Sequence, residues 1–303
     1  LDGVGREALC WGENGSGQLG LGDSSNRAVP TDVDLPGVTW ATIAIGNTHT
    51  GALATNDSTV ACWGDNTYGQ LGDNSNNASP SPVTVASGAV RFVSVAAGGR
   101  HSCALNPEGQ AFCWGDNSAG QLGDGTTVAS NVPVPSAGAL RFFRFVTGDA
   151  HTCGRTQAST VFCWGRGTEG QLGVSVPPET CPGTTPCSTL PVQVTTTFPQ
   201  IWLTAGAQHT CSISTARQAI CWGRNTTGQL GTTTTAQCNG IACSPTPIAV
   251  SGGESFQSIV AGGAHTCAFA NDATPYCWGA NGSGQLGDGT TTNRFAPVRV
   301  FNP

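Results

Sequence analysis

The sequence has no lysine and no methionine, only two tyrosines, and only 10% charged residues among 303. The twelve basic residues are therefore all arginine; eighteen acidic ones outnumber them, and the net charge is -6. No basic stripe remains to neutralise phosphates, so no nucleic-acid partner is expected. No window of about 18 apolar residues occurs, which excludes a membrane-spanning helix. The lack of methionine even at position 1 predicts a processed or trimmed chain, whose missing piece would include a secretion signal. No paired carboxylates, Ser-His-Asp set or activated Cys emerges, so neither a catalytic residue nor a cofactor is expected.

What is abundant is glycine, with 43 residues, and cysteine, with 14. Cys-Trp-Gly recurs at Cys10, Cys62, Cys113, Cys163, Cys221 and Cys277, and each copy runs on into Gly-Gln-Leu-Gly, ending at Gly20, Gly72, Gly123, Gly173, Gly231 and Gly287. Upstream of five copies stands Gly-x-x-His-Thr/Ser, beginning at Gly46, Gly98, Gly148, Gly206 and Gly262. A period near fifty residues signals a repeat architecture. Each unit offers a Pro-x-x-Val run such as Pro82–Val85, an alternating run such as Phe92, Val93, Val95 and Ala97, then His-Ser-Cys-Ala-Leu and Ala-Phe-Cys-Trp-Gly. Four short stretches split by Gly, Asn, Pro and Asp predict a four-stranded blade, and so an all-β propeller. Such a ring also protects sheet edges in a chain with few charges.

The string HSCALNPEGQAFCWGDNSAGQLGDGT resembles the regulator of chromosome condensation repeat, carried by the Gly-Gln-Leu-Gly and Gly-x-x-His-Thr/Ser motifs over nearly the whole chain. The resemblance implies a six- or seven-bladed ring formed by residues 1–303 as one domain, closed by pairing of N- and C-terminal strands. Aligning Leu1-Asp2-Gly3 with Leu53-Ala54-Thr55 puts Leu1 at the end of a strand, and Pro297–Val300 reads as the start of a further unit. The run Pro297–Phe301 and the segment Glu7–Trp11 are expected to share a blade. The family spans a nuclear exchange factor, a plant ultraviolet receptor, receptor-kinase ectodomains and a secreted bacterial inhibitor of β-lactamases. The added cysteines resemble secreted bacterial members and the Cys-rich ectodomains.

Cys103/Cys113, Cys153/Cys163, Cys211/Cys221 and Cys267/Cys277 share a spacing of ten, which places each pair face to face on an antiparallel hairpin and within disulfide reach. Cys181/Cys187 and Cys238/Cys243 close small loops. Cys-x-x-Cys spacing is absent and no His neighbours the loop pairs, which disfavours zinc. Cys62 faces Gly51 and is expected to be a free buried thiol; the partner of Cys10 would lie upstream of Leu1. Six disulfides would place the chain in a secreted or cell-surface setting.

All five histidines share one repeat position, and five points around a ring cannot converge on one metal ion. They read as buried or turn-bonding residues. The Cys-Trp-Gly tryptophans, with Trp40 and Trp202, read as core. Asp124 and Asp288 sit in Gly-Asp-Gly-Thr turns, and Asp65, Asn66, Asp116 and Asn117 follow Cys-Trp-Gly; they read as turn formers rather than calcium ligands. Asn14, Asn56, Asn77, Asn225 and Asn281 lie in glycosylation sequons.

The breaks in the repeat carry the functional expectation. Inserts Val174–Leu190 and Thr232–Pro247 lengthen two units, and Arg166 and Arg224 replace an acidic residue. Arg166, Arg224, Pro182, Thr184, Asn239 and Ile241 are the expected partner-binding residues of a non-catalytic protein-binding scaffold. The alternatives are a self-assembling subunit of an extracellular structure and, third, a propeller lyase or hydrolase.

Overall fold

Consecutive antiparallel strands account for nearly all regular structure. The computed structural model describes residues 8–33, 38–56 and 58–301. The chain forms two compact units, Leu1–Phe142 and Phe143–Pro303.

In the first unit, β1 (Leu9–Gly12) and β2 (Arg27–Asp32) make a two-stranded sheet. A four-stranded sheet follows from β3 (Trp40–Ile45), β4 (His49–Ala54), β5 (Val60–Gly64) and β6 (Ser79–Thr84). The next has β7 (Ser94–Ala97), β8 (His101–Leu105), β9 (Ala111–Gly115) and β10 (Ser130–Pro135). The second unit holds β11 (Phe142–Thr147), β12 (His151–Thr156), β13 (Val161–Arg166), β14 (Glu179–Cys181) and β15 (Thr185–Gln193) in one sheet. It continues with β16 (Gln200–Ala205), β17 (His209–Ser214), β18 (Ala219–Arg224), β19 (Gln237–Cys238) and β20 (Ile241–Ala249). Last come β21 (Phe256–Ala261), β22 (His265–Ala270), β23 (Pro275–Gly279) and β24 (Arg294–Arg299).

The structure differs from the expected strand order and from loop-like inserts. The Pro-x-x-Val strand ends a sheet instead of opening one: β6 pairs with β5, and β24 with β23. The Gly-Gln-Leu-Gly connection turns the chain straight back onto the Cys-Trp-Gly strand, so hairpin pairing decides the phase. Pro297–Val300 therefore finishes its own unit, and β1 pairs with β2. The alignment of Leu1-Asp2-Gly3, and Glu7, lie outside the described residues. The inserts are hairpins that add a fifth strand, β14 and β19, to two sheets.

The glycine of Cys-Trp-Gly is set by its backbone. Gly64 has φ +107° where the ladder shifts register, and a Cβ there would lie 2.5 Å from Thr48 O. This bulge lets the strand bend out of its sheet toward the next turn.

The core lies between neighbouring sheets. Trp114 packs with Leu53, Val60 and Leu71 of the preceding repeat, and Trp222 with Val161 and Leu172. Their polar ends are met by the preceding Gly-Gln-Leu-Gly turn. Trp63 donates its indole N–H to Gln18 O at 2.9 Å, Trp114 to Gln70 O at 2.9 Å, Trp222 to Gln171 O at 3.0 Å and Trp278 to Gln229 O at 3.1 Å. A buried aromatic thus contributes its apolar area without an orphaned donor.

Tryptophan burial is not uniform. Trp63, Trp114, Trp164, Trp222 and Trp278 are fully buried, but Trp11, expected in the core, is 58% exposed. Trp202 is also only partly buried. It projects from β16, at a position with no equivalent in the Cys-Trp-Gly motif.

Candidate functional site

The repeated side chains are absorbed by the fold. His49 Nε2 meets Ser102 Oγ at 2.8 Å, His151 meets Thr210 Oγ1 at 3.0 Å, and His209 meets Thr266 Oγ1 at 2.9 Å. Each bond joins one repeat to the next, and Ser102, Thr210 and Thr266 also donate to the Gln carbonyls of the preceding turns. Burial pushes His49 down to about 4 and His101 and His209 to about 3, so all three stay neutral. The glycine of Gly-x-x-His is the seat of this ring: a Cβ on Gly206 would lie 2.2 Å from His209 Cε1.

The Asp and Asn residues build turns. Asn66 Oδ1 accepts Leu71 N at 2.9 Å, and its Nδ2 donates to Asp73, Ser75 and Asn77. Asn14, Asn117 and Asn281 do the same in their repeats. Asn14, Asn225 and Asn281 are therefore buried and bonded, which removes them as glycan acceptors in the folded state; Asn56 and Asn77 are exposed. Among the described residues no cluster of three or more His, Cys, Asp or Glu is arranged to hold a metal ion.

Six disulfides are present. The hairpin pairs Cys103–Cys113, Cys153–Cys163, Cys211–Cys221 and Cys267–Cys277 bridge directly opposed residues with Cα atoms 4.0–4.1 Å apart. Cys181–Cys187 and Cys238–Cys243 span 5.8 Å. Cys10 and Cys62 are free, with Cys62 buried opposite Gly51.

The two inserts break this regularity. In the first, β14 folds onto β15 through Pro182, Gly183 and Thr184, with Thr184 at φ 64°. Glu179 Oε2 accepts Thr189 Oγ1 at 2.7 Å and fixes the base. In the second, β19 and β20 are joined by Asn239-Gly240, both with positive φ. Asn-Gly suits the type I′ turn of a two-residue hairpin, a local signal that the spacing of the cysteines does not carry. Both hairpins dock alike: Gly167 N donates to Pro186 O and Asn225 N to Ala242 O, each at 2.8 Å. Where Asn would organise the turn, repeat four has Gly167, because a Cβ there would lie 2.7 Å from Pro177 Cγ of the insert.

Arg166 and Arg224 stand opposite the insert cysteines Cys187 and Cys243. Arg224 is already engaged, donating to Thr226 Oγ1 at 3.0 Å and to Gln208 Oε1 at 2.5 Å. Arg166 is half-buried, with Nε unbonded among the described residues. Pro182, Thr184 and Asn239 are exposed at the hairpin tips, and Ile241 is half-buried. The second hairpin leans on the preceding repeat, Asn239 Nδ2 reaching Thr168 O at 3.4 Å and Gly170 packing on Pro245. The insert residues thus form neighbouring features within one unit, while the arginines lie at their bases.

Repeat sheets joined through Trp-to-Gln and His-to-hydroxyl bonds are the arrangement of a repeat propeller. The chain belongs to the family of the regulator of chromosome condensation (RCC1) repeat, whose pattern matches residues 7–53, 57–105, 108–154, 159–213, 218–269 and 275–303. It is 28% identical to the ultraviolet-B receptor UVR8 of Arabidopsis thaliana over 98% of this chain and 66% of that protein. The crystal structure of Prp20p from Saccharomyces cerevisiae, described with its binding properties to Gsp1p and histones, superposes with TM-score 0.85 at 24% identity, covering 99% of this chain and 74% of that one. Yeast RCC1 (Prp20) bound to Kap60 gives TM-score 0.84 at 23% identity, covering 99% and 72%. The fold is accordingly that of the RCC1-type β-propellers.

Proposed function

We propose that this protein is a rigid, non-catalytic protein-binding scaffold, secreted or displayed at a cell surface. In this reading residues 1–303 act as one propeller domain. The two disulfide-tied hairpins form the partner-binding surface, with Pro182, Thr184, Asn239 and Ile241 at the contact and Arg166 and Arg224 beneath it.

The observation that carries this reading is that both departures from the repeat are pre-ordered in the same way. Each insert is a hydrogen-bonded hairpin closed by its own disulfide. Ordering a loop before binding lowers the entropy cost of association. Val176 is 80% exposed beside the first hairpin and supplies apolar contact area. The six disulfides support an oxidising compartment, and the yeast Prp20 structures concern protein binding.

The test replaces Val174–Leu190 and Thr232–Pro247 with the short connection that follows Gly123. A correctly folded variant should no longer capture the partner that the intact chain retrieves from its native medium. Unchanged capture would make the hairpins ornamental. Mass rising with concentration in light scattering would instead favour a self-assembling subunit.

A further inference from the structure

Trp202 departs from the pattern of the repeat tryptophans. Its indole nitrogen is buried and has no acceptor among the described residues. Over its ring, 4.6 Å from the centroid, lies the guanidinium of Arg144. Arg144 comes from β11 and Trp202 from β16, so the contact joins the first strands of consecutive sheets in the second unit. On β12, Arg155 is only 9% exposed, and its guanidinium lies 4.9 Å from the Phe143 ring. One terminal nitrogen of Arg155 reaches Ser159 Oγ at 3.3 Å and Gln200 O at 3.5 Å, both long contacts. Its Nε is buried without a partner among the described residues.

The ion pairs seen among the described residues are Arg27–Asp23 and Arg294–Asp288, so neither Arg144 nor Arg155 has a carboxylate beside it there. Burial lowers the pKa of both, and the charge of Arg144 lowers that of Arg155 further. Two cations in one another's field, one of them sunk into the protein with an unused donor, call for a counter-ion. The Trp202 ring lies against the Arg144 guanidinium, and no ion pair occupies the N–H edge of that guanidinium among the described residues. That edge matches the two coplanar oxygens of a carboxylate.

The geometry points to a carboxylate-binding site formed by Arg144, Arg155 and Trp202, which takes an Asp or Glu side chain of an acidic peptide. Phe143, 63% exposed, provides an apolar shelf for the peptide chain next to these donors. The site is separate from the hairpins: Arg155 pairs with Val161 at one end of the sheet, whereas Arg166 pairs with Cys187 at the other. It goes beyond the hairpin reading and does not depend on it.

Tetraglutamate with blocked ends is titrated calorimetrically into the full chain at physiological salt. The protein carries a net charge of -6, so general electrostatics oppose this probe and saturable one-site binding reports a local site. Arg144→Gln should weaken binding at least tenfold, and Arg144→Lys should weaken it too, because an ammonium cannot form the planar fork. Trp202→Phe leaves a smaller aromatic face under Arg144; a loss of several-fold is expected, and it serves as the deciding variant if Arg144→Gln fails to fold. The proposal is overturned if the wild type shows no saturable binding, or if folded variants bind as the wild type does. It is also overturned if equimolar inorganic phosphate displaces the peptide, which would show a site for a tetrahedral anion.

Discussion

Residues 1–142 carry five arginines and twelve acidic residues, a net charge of -7, whereas residues 143–303 carry seven and six, a net charge of +1. The disulfides divide in the opposite sense. The first unit holds Cys103–Cys113, and the second holds the other five. Yet the sheets of both units share one register. Gly51 faces Cys62 in the sheet of β3–β6 just as Cys153 faces Cys163 and Cys211 faces Cys221 in the second unit. Backbone ladders, the His-to-hydroxyl bonds and the Trp-to-Gln bonds are therefore enough to set the repeat. The hairpin disulfide reinforces a register that is already determined.

Reduction should expose this difference most strongly. A disulfide closing a loop of about ten residues contributes roughly 2–3 kcal/mol. Losing five would cost the second unit on the order of 10 kcal/mol, well above the loss in the first. Hydrogen exchange with and without reductant should show residues 143–301 losing protection far ahead of residues 58–142. Equal loss in both segments would mean that the disulfides do not set the difference between them.

Acidification probes what the units have in common. His49 and His101 in the first and His209 in the second are held below their ordinary value by burial. The unfolded chain takes up these protons near pH 6.5 while the folded chain refuses them until about pH 4 or 3, so stability is full above pH 6.5 and falls as pH drops through that window. Each histidine contributes up to about 1.4 kcal/mol per pH unit there. The melting temperature should fall steadily from pH 6.5 to 4.5 in both units. A flat profile would mean that the rings are hydrated or already charged.

A single methyl group tests the same joint at one position. Gly206→Ala drives a Cβ to 2.2 Å from the His209 ring and 2.4 Å from Gly262 O. Gly46→Ala meets His49 and Gly98 O in the same way. Each should cost about 3 kcal/mol by overpacking, read as a fall in the denaturant midpoint. Loss confined to one unit would show that the repeats are not joined equivalently.

Much of this was legible in the sequence because the repeat displays each feature several times. Gly-x-x-His and Cys-Trp-Gly stand out because each glycine is dictated by a neighbouring atom, His49 in one case and Thr48 O in the other. The ten-residue cysteine spacing maps directly onto opposed hairpin positions. The phase of the unit was not legible, since Pro-x-x-Val looks the same on either side of a boundary and only pairing with Cys-Trp-Gly assigns it. Nor was the position of Trp202: its sequence neighbours, Ile201 and Leu203, give it the appearance of core. The presence of Arg144 over its ring depends on a strand nearly sixty residues away in sequence, which no local pattern reports.

The smallest expected effect would convert one kind of sheet into the other. Gly51 lies in strand β4 opposite Cys62, and a Cβ built there would be 3.4 Å from Cys62 Sγ. Gly51→Cys therefore places a second thiol where Cys103 stands in the next sheet. Its closest other neighbour is Val95 Cγ2 at 3.2 Å, a side-chain methyl that can give way by a few tenths of an ångström. Burial holds the Cys62 thiol protonated, so the bond should close while the chain folds under oxidising conditions rather than afterwards. Peptide mapping without reductant should find the pair joined, and the melting temperature should rise by the equivalent of about 2 kcal/mol. Because register is already set by hydrogen bonds, the gain should come without any change in the exchange pattern of β3 to β6. A bridged variant with a shifted pattern would show that the disulfides of the second unit do more than reinforce, and that the two units differ in how their register is determined.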